Sequence, residues 1–365
     1  MKKPNQVFIV SNPSSTTNKS SFSSLNKFIN VVSVLDKRIN IITSEGLECD
    51  KDVNLFLIRF KKSKNSFIHL FEKISFSIKT FFICLKRFKK NDICFFWIAD
   101  SMLLSFLAAK IKKANIYYFI YGNPLKIPEE KNNKTYKRIV YMGKRSNYIC
   151  AEGNGVFDEW NNIFKQERKV IHLYSPMINN KQIENDKIKF GVLSRLSNGK
   201  HIIEIIEAFN EMLKIKKNMQ LEIIGDGPLK KIIEQKINSL GISDNVKLIG
   251  WVDSANIYNY CKNWKYSILI SDTEGLPNSL LETMGQGVPN IVTSVGAVKD
   301  IVNENNGVIV NSIDIISIYY ALEKSLNIDE NKYLAMSNNA FNTIKQKYSL
   351  AYAQNTFLIA LEDNK

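Results

Sequence analysis

Short apolar runs alternate with stretches of helical spacing along most of the 365-residue chain. Gln6–Val10, Ile39–Thr43, Leu55–Arg59, Asp92–Ala99 and Ile116–Tyr121 read as strands, with Phe22–Val32 and Ser101–Lys113 as helices between them. Residues 129–165 look helical and polar, interrupted by a strand at Tyr148–Ala151, and Val170–Leu173 reads as one more strand. The alternation then begins again. Ile188–Leu193, Leu221–Ile224, Val246–Ile249, Ser267–Ile270, Asn290–Thr293 and Gly307–Val310 are the expected strands, and His201–Ile215, Leu229–Leu240 and Ile257–Asn263 the helices. Further helices are expected over 313–326, 331–346 and 349–362. Strand and helix in regular alternation are the mark of a parallel, doubly wound α/β sheet. The second start predicts two of them, divided near Pro176, with a polar linker at Asn179–Asp186. We therefore expect one domain over 1–176, a second over 187–345, and a C-terminal helix over 346–365 that packs back toward the first.

One stretch departs from the rest. Phe67, Leu70, Phe71, Ile74, Ile78, Phe81, Phe82 and Leu85 follow helical spacing, with Lys61, Lys62, Lys64, Lys73, Lys79, Lys86, Arg87, Lys89 and Lys90 around or beside them. Two accounts of this basic amphipathic helix compete: its aromatic stripe is core against a sheet, or it inserts into a membrane. Its position between strands favours the first, with the lysines still able to touch an anionic surface.

Charge sharpens this asymmetry. Residues 1–150 hold 27 Lys+Arg against 10 Asp+Glu, a net of +17, leaving 23 of the 50 basic and 25 of the 35 acidic residues, a net of −2, for 151–365. An excess confined to one half points to a polyanionic surface met by that half; membrane phospholipid, a lipid phosphate and nucleic acid all qualify, and lysine serving only solubility is the bland alternative. Five widely spaced cysteines read as buried free thiols, and His69, His172 and His201 have no metal-ligand spacing. No apolar run reaches the ~18 residues of a spanning helix. The chain enters a strand almost at once, so a cytoplasmic protein is expected.

The candidate chemistry lies in the second half. After the strand Ser267–Ile270, Gly275 and Pro277 break the chain, and Asn278 or Ser279 can cap a helix that Gly285 and Gly287 end. The amides of Asn278, Ser279 and Leu280 would then form an N-terminal seat for phosphate oxygens. Glu274 sits in the loop before that seat and Glu282 on the first turn behind it. Ser279-Leu280-Leu281-Glu282 is also a capping box, in which Glu282 would serve only its own helix. Earlier, Ser194-Arg195-Leu196-Ser197-Asn198-Gly199-Lys200 places two cations in one strand-to-helix loop, able to neutralise a diphosphate without metal. Surface solvation is the alternative for such a pair. Gly225-Asp226-Gly227-Pro228 is a tight turn, and Gly250-Trp251-Val252 follows the next strand. Trp251 either stacks on a ligand or packs, partly buried, on the sheet.

Glu274, seven residues and Glu282, set in E-G-L-P-N-S-L-L-E-x-M-x-x-G-x-P, resemble the signature of the family 4 retaining glycosyltransferases, and the resemblance covers residues 188–310 well. It implies the GT-B architecture: two doubly wound Rossmann-like domains facing a central cleft, the first binding acceptor and the second a nucleotide sugar. It implies that Arg195 and Lys200 hold the donor diphosphate, that Glu282 binds the ribose hydroxyls, and that Glu274 lies near the donor sugar together with Gly275 and Leu276. Gly227, Trp251 and Val252 would line the nucleotide side. The family's glycine before the arginine is Ser194 here, and its first loop often carries glycines that Ser11–Ser21 lacks. Many members place a histidine at the end of the first-domain strand facing the sugar, where this chain has Tyr121.

The implied function is metal-independent, retaining transfer of a hexose or N-acetylhexosamine from a UDP-sugar, or a GDP-sugar, to a lipid-linked or cell-surface glycan. Its partners would be the donor, the acceptor and an anionic membrane surface, with no cofactor. The implied location is the inner face of the cytoplasmic membrane. A nucleotide-sugar epimerase on the same scaffold would want carboxylates and a histidine around the sugar. A nucleic-acid-binding protein would interleave its basic face with exposed aromatics, whereas the aromatics here fall at core-like spacings.

Overall fold

The computed structural model describes residues 6–13, 22–35, 37–49, 51–61, 63, 65–126, 133–175, 188–253 and 256–362. The expected linker Asn179–Asp186 and most of the polar loop after the first strand lie outside these. The chain divides into two units, Met1–Leu125 with Lys131–Leu173 and Ala353–Lys365 in one, and Lys126–Glu130 with Tyr174–Tyr352 in the other.

The first unit is built on β1 (Val7–Ser11), β2 (Ile39–Ser44), β3 (Asn54–Ile58), β4 (Ile93–Trp97), β5 (Asn115–Phe119), β6 (Tyr148–Ala151) and β7 (Glu167–Val170). They form one parallel sheet in the order β3-β2-β1-β4-β5-β6-β7, in which Val7 aligns with both Ile39 and Ile93. β1 and β4 are fully buried, as the central strands of a parallel sheet covered on both faces should be. Its helices are α1 (Ser23–Val32), α2 (Ser66–Arg87), α3 (Leu103–Ile111), α4 (Asn133–Gly143) and α5 (Asn154–Glu159). Two expectations shift here. The strand expected at Val170–Leu173 is Glu167–Val170, an edge strand on which Glu167 and Arg168 are exposed and Lys169 is buried but paired with Glu167, a polar run that the apolar criterion passes over. The stretch expected to be helical over 129–165 holds only α4 and α5 as helix among its described residues.

The larger correction concerns α2. The helix forms as the spacing predicts, capped by Asn65, whose side chain accepts from the amides of Phe67 and Ile68. Its aromatic stripe, however, is not core. Phe67 is 84% exposed, Phe71 71% and Phe82 63%, and Leu70, Ile74 and Ile78 are exposed with them. The face that packs inward carries Phe76, Thr80 and Cys84. The helix thus turns its richer apolar side away from its own unit.

The second unit repeats the architecture with β8 (Ile188–Leu193), β9 (Met219–Ile224), β10 (Val246–Gly250), β11 (Tyr266–Leu269), β12 (Asn290–Thr293) and β13 (Gly307–Val310), parallel in the order β10-β9-β8-β11-β12-β13. Helices α6 (Ile202–Leu213), α7 (Lys230–Ser239), α8 (Tyr258–Cys261), α9 (Asn278–Met284), α10 (Val298–Ile301), α11 (Ile315–Leu326) and α12 (Glu330–Lys347) connect and cover it. α10 had no counterpart in the sequence reading. Phe190 stacks on Tyr266, and Tyr333 meets Tyr266 edge-on. Both buried phenols are satisfied, donating to the carbonyls of Ser325 and Lys265. The indole of Trp264 lies where a Cβ on Gly191 would stand, so a strand residue must be glycine for that packing.

The chain closes with α13 (Leu350–Glu362), and its residues from Ala353 belong to the first unit. Phe357 packs against Phe28 of α1 and Phe95 of β4. Phe28 also stacks on Trp97 at 4.5 Å and meets Phe119 at 5.0 Å, with no exposed surface. Truncating Phe28→Ala removes the centre of this cluster and should cost about 3–5 kcal/mol. Chemical denaturation should show the loss as an earlier unfolding of the first unit.

Candidate active site

In each parallel sheet the ligand crevice is expected where the strand order reverses, outside the carboxyl ends of the two strands that part company there. In the second unit that point lies between β8 and β11. The loops that follow them, 194–201 and 270–277, contain Arg195, Lys200, Glu274, Gly275 and Leu276. They are tied together. The amide of Asp272 donates to the carbonyl of Gly199 at 3.2 Å, Lys200 Nζ donates to Ser271 Oγ at 3.3 Å and forms an ion pair with Glu274, and Ser271 Oγ donates to Glu274 Oε1 at 2.7 Å. Glu274 is buried and Lys200 mostly so. The two residues assigned separate roles from sequence therefore neutralise one another here. Arg195 is exposed, and its guanidinium has no partner among the described residues.

Glycine explains how the neighbouring loops come so close. A Cβ on Gly225 would stand 1.8 Å from the carbonyl oxygen of Ser194, and one on Gly227 2.3 Å from that of Leu196. The same contact is stitched by hydrogen bonds from Ser194 to Ile224, Leu196 to Asp226 and Leu229 to Leu196, between backbone groups. Gly296 likewise lies against the backbone of Glu274, where a Cβ would come within 1.7 Å of its oxygen. On the outer side the Gly225 amide donates to Gly250, and Trp251 beyond it is 54% exposed. Trp251 is thus covered over less than half of its surface. Its indole is available to a ligand, next to the half-buried Val252.

α9 begins one residue earlier than an Asn278 cap requires and two earlier than a Ser279 cap. Its cap is Pro277, which makes no side-chain capping bond, and Asn278 and Ser279 stand within the first turn. The capping-box reading of Glu282 fails with it. The amide of Leu280 donates to the Pro277 carbonyl at 3.1 Å, so it is already used and does not belong to an open phosphate seat. Glu282 is half-buried on the same short helix.

His201 was passed over in the sequence for want of metal spacing, yet it holds the loop after β8 in place. It adopts a left-handed backbone, φ 47°, at the junction of the Asn198–Lys200 turn and α6. This conformation is costly for a side-chain-bearing residue, although histidine tolerates it better than most. Its Nδ1 lies 3.0 Å from Glu204 and its Nε2 3.0 Å from Asp272, the latter close but off the line of a hydrogen bond. The Glu204 hydrogen bond, reinforced by Asp272 and opposed by burial, raises the imidazole's pKa above its ordinary 6.5. Glu204 is correspondingly lowered from 4.5, mainly by His201. No pattern of spacing marks such a residue; only its adjacency to Lys200 does.

Tyr121 stands in the first unit, in the loop after β5. Burial pushes its phenol well above the usual range and Asp100 adds to this, so it stays protonated and can donate to that carboxylate. Asp100 follows β4, and Asn12 follows β1, the pair of strands at the first unit's own reversal point. Asn12 donates through Nδ2 to Asp100 at 2.5 Å and accepts through Oδ1 from the amide and hydroxyl of Ser101, while Arg138 lies 3.5 Å from Asp100. The buried hydroxyl of Tyr118 has no partner among the described residues. The sequence pointed only to Tyr121 in this cluster.

Set beside known proteins, residues 176–343 match the family described as Glycosyl transferases group 1. The chain is 29% identical over 286 residues to the GalNAc-alpha-(1->4)-GalNAc-alpha-(1->3)-diNAcBac-PP-undecaprenol alpha-1,4-N-acetyl-D-galactosaminyltransferase of Campylobacter jejuni, covering 74% of this chain and 75% of that one. It is 27% identical over 356 residues to Protein CapJ of Staphylococcus aureus, covering 86% and 84%. Among solved structures, Anabaena Alr3699/HepE in complex with UDP and glucose superposes with a TM-score of 0.75 at 14% identity, over 98% of this chain and 99% of that one. The architecture is the GT-B fold, two Rossmann-like α/β domains, and the match to the Glycosyl transferases group 1 family falls on the second.

Protonated His201 contributes stability that is full below the unfolded pKa of about 6.5 and fades as pH rises through its higher folded value. Glu204 contributes above about 4.5 and fades as pH falls through its lower folded value. Thermal unfolding of the wild type should therefore show a midpoint that declines as pH rises above the mid-sixes, and His201→Gln should flatten that decline.

Proposed function

We propose that this protein is a retaining glycosyltransferase that moves a hexose or N-acetylhexosamine from a nucleotide diphosphate sugar, UDP-linked by preference, to a lipid-linked or cell-surface glycan. The observation that carries the reading is the junction at the β8–β11 reversal point, where Lys200, Glu274 and the exposed Arg195 occupy adjoining loops within a glycosyl transferases group 1 domain. Two cations can neutralise the charge that grows on a departing diphosphate, which is the main demand of this transfer. Lys200 must turn from Glu274 toward that charge, leaving Glu274 free to meet the donor sugar. Glu282 binds the ribose hydroxyls, the amides at the start of α9 receive phosphate oxygens, and Trp251 with Val252 and Gly227 borders the nucleotide. The transfer follows front-face departure, with the leaving phosphate accepting the acceptor's proton.

The acceptor falls to the first domain, where Asp100, Asn12, Tyr121 and Arg138 offer donors and acceptors suited to a polyhydroxyl ligand. The undecaprenol named in the Campylobacter relative supports a lipid-linked acceptor. No helix among the described residues is long and apolar enough to cross a membrane, so access to such an acceptor would be peripheral, at an anionic cytoplasmic surface.

Arg195→Ala and Glu282→Gln should each weaken UDP binding by about 1.5–3 kcal/mol, the worth of one charge-assisted contact. Calorimetric titration with UDP checks this, and unchanged affinity in both variants sinks the site assignment. Transfer should also persist in EDTA, because cations and amides stabilise the diphosphate and no group of three possible metal-ligating side chains occurs among the described residues. A strict requirement for Mn²⁺ or Mg²⁺ would contradict this.

A further inference from the structure

The outward face of α2 has no role in the site described above. At about 100° per residue, Phe67, Phe71, Ile74, Ile78 and Phe82 fall within an arc of roughly 80° and extend along about 22 Å of helix. All five are exposed. Phe76, Thr80 and Cys84, on the far side, are buried. Exposed rings in such number are not scattered surface residues, because contiguous apolar patches of this kind are rarely left to water. The surroundings of the patch are basic. Lys79 and Lys86 border the arc, Lys61 precedes the helix, and Lys89 and Lys90 follow it, all exposed. Over residues 59–90 there are ten Lys+Arg and one acidic residue, Glu72.

We infer that α2 is an interfacial anchor that lies in the plane of an anionic lipid bilayer, its phenylalanine face sunk among the acyl chains and its lysines on the phosphates. The charge pattern selects this occupant. A second copy of the chain would bring two basic rims together, which opposes association. A bilayer with anionic headgroups meets both the apolar centre and the cationic border, the composition expected of a helix that rests on a membrane without crossing it. The proposal deepens the peripheral location given under the proposed function: the main hold is insertion of aromatic side chains, and the lysines attract and orient.

The test uses the full chain and vesicles of phosphatidylcholine with and without phosphatidylglycerol. Flotation should show binding to the anionic vesicles that falls in high salt yet survives in part. Replacing Phe67, Phe71 and Phe82 together by Ser should lower vesicle partitioning roughly tenfold or more, as loss of three buried rings requires. Lys79→Glu with Lys86→Glu should weaken binding to anionic vesicles only. In a Phe71→Trp variant the new indole should shift to the blue on vesicle addition and be quenched by brominated lipid. Thermal stabilisation by UDP should be the same in all these variants, so a failure of the enzyme reading shows as absent UDP stabilisation and a failure of this one as unaltered flotation. The inference is overturned if the triple Ser variant floats like the wild type or if high salt abolishes binding completely. It is also overturned by a dimer, or an oligonucleotide complex, that depends on the same phenylalanines.

Discussion

The ion pair between Lys200 and Glu274 joins the two loops on either side of the point where the second sheet reverses direction. Withdrawing two charges from water is costly, and the attraction recovers that cost only when the remaining hydrogen-bonding capacity is met, as Ser271 does here. The geometry of everything nearby follows from keeping this junction tight. Gly225, Gly227 and Gly296 let the adjoining backbones approach, His201 accepts a left-handed turn between two carboxylates, and Thr293 fixes Ser271 through both its amide and its carbonyl. A charged ligand entering such a place does not find an empty cradle. It exchanges one set of charge contacts for another, which gives selectivity for a ligand able to replace the carboxylate at Lys200.

Much of this was legible in the sequence because the signals were local. β8, β12 and β13 appear where the apolar runs put them: β8 and β12 lie inside the parallel sheet, and β13, though at its edge, is an almost wholly buried Gly-Val-Ile-Val. Helices α11 and α12 have Asp314 and Asp329 as caps, each accepting from an amide three residues on. The loops holding Arg195, Lys200 and Glu274 were identified through their motifs. That Lys200 and Glu274 bond to each other was beyond a reading along the chain, because the two are separated by 74 positions.

The misreadings have a common cause: periodicity reports which residues share a face and not which way that face points. For α2 the stripe was correct and its direction was inverted, since Thr80 and Cys84, small and unobtrusive in the sequence, are the side that packs inward. For Trp251, which the sequence leaves open between packing and a ligand, Gly250 at φ 88° turns the chain off the end of β10 and leaves about half of the side chain exposed. The helix α9 was started one or two residues late because Asn278 and Ser279 are favoured caps, whereas Pro277 is already set at φ −72° and takes that position without a side-chain bond.

The packing of Phe357 on Phe28 and Phe95 sets an order of events during synthesis. Translation delivers the strands of the first unit well before α13, and all of Tyr174–Tyr352 emerges in between. Until then the aromatic cluster around Phe28 lacks one wall, and the first unit waits on the ribosome with apolar surface uncovered. Chaperone capture of that nascent unit is the natural means of bridging the interval.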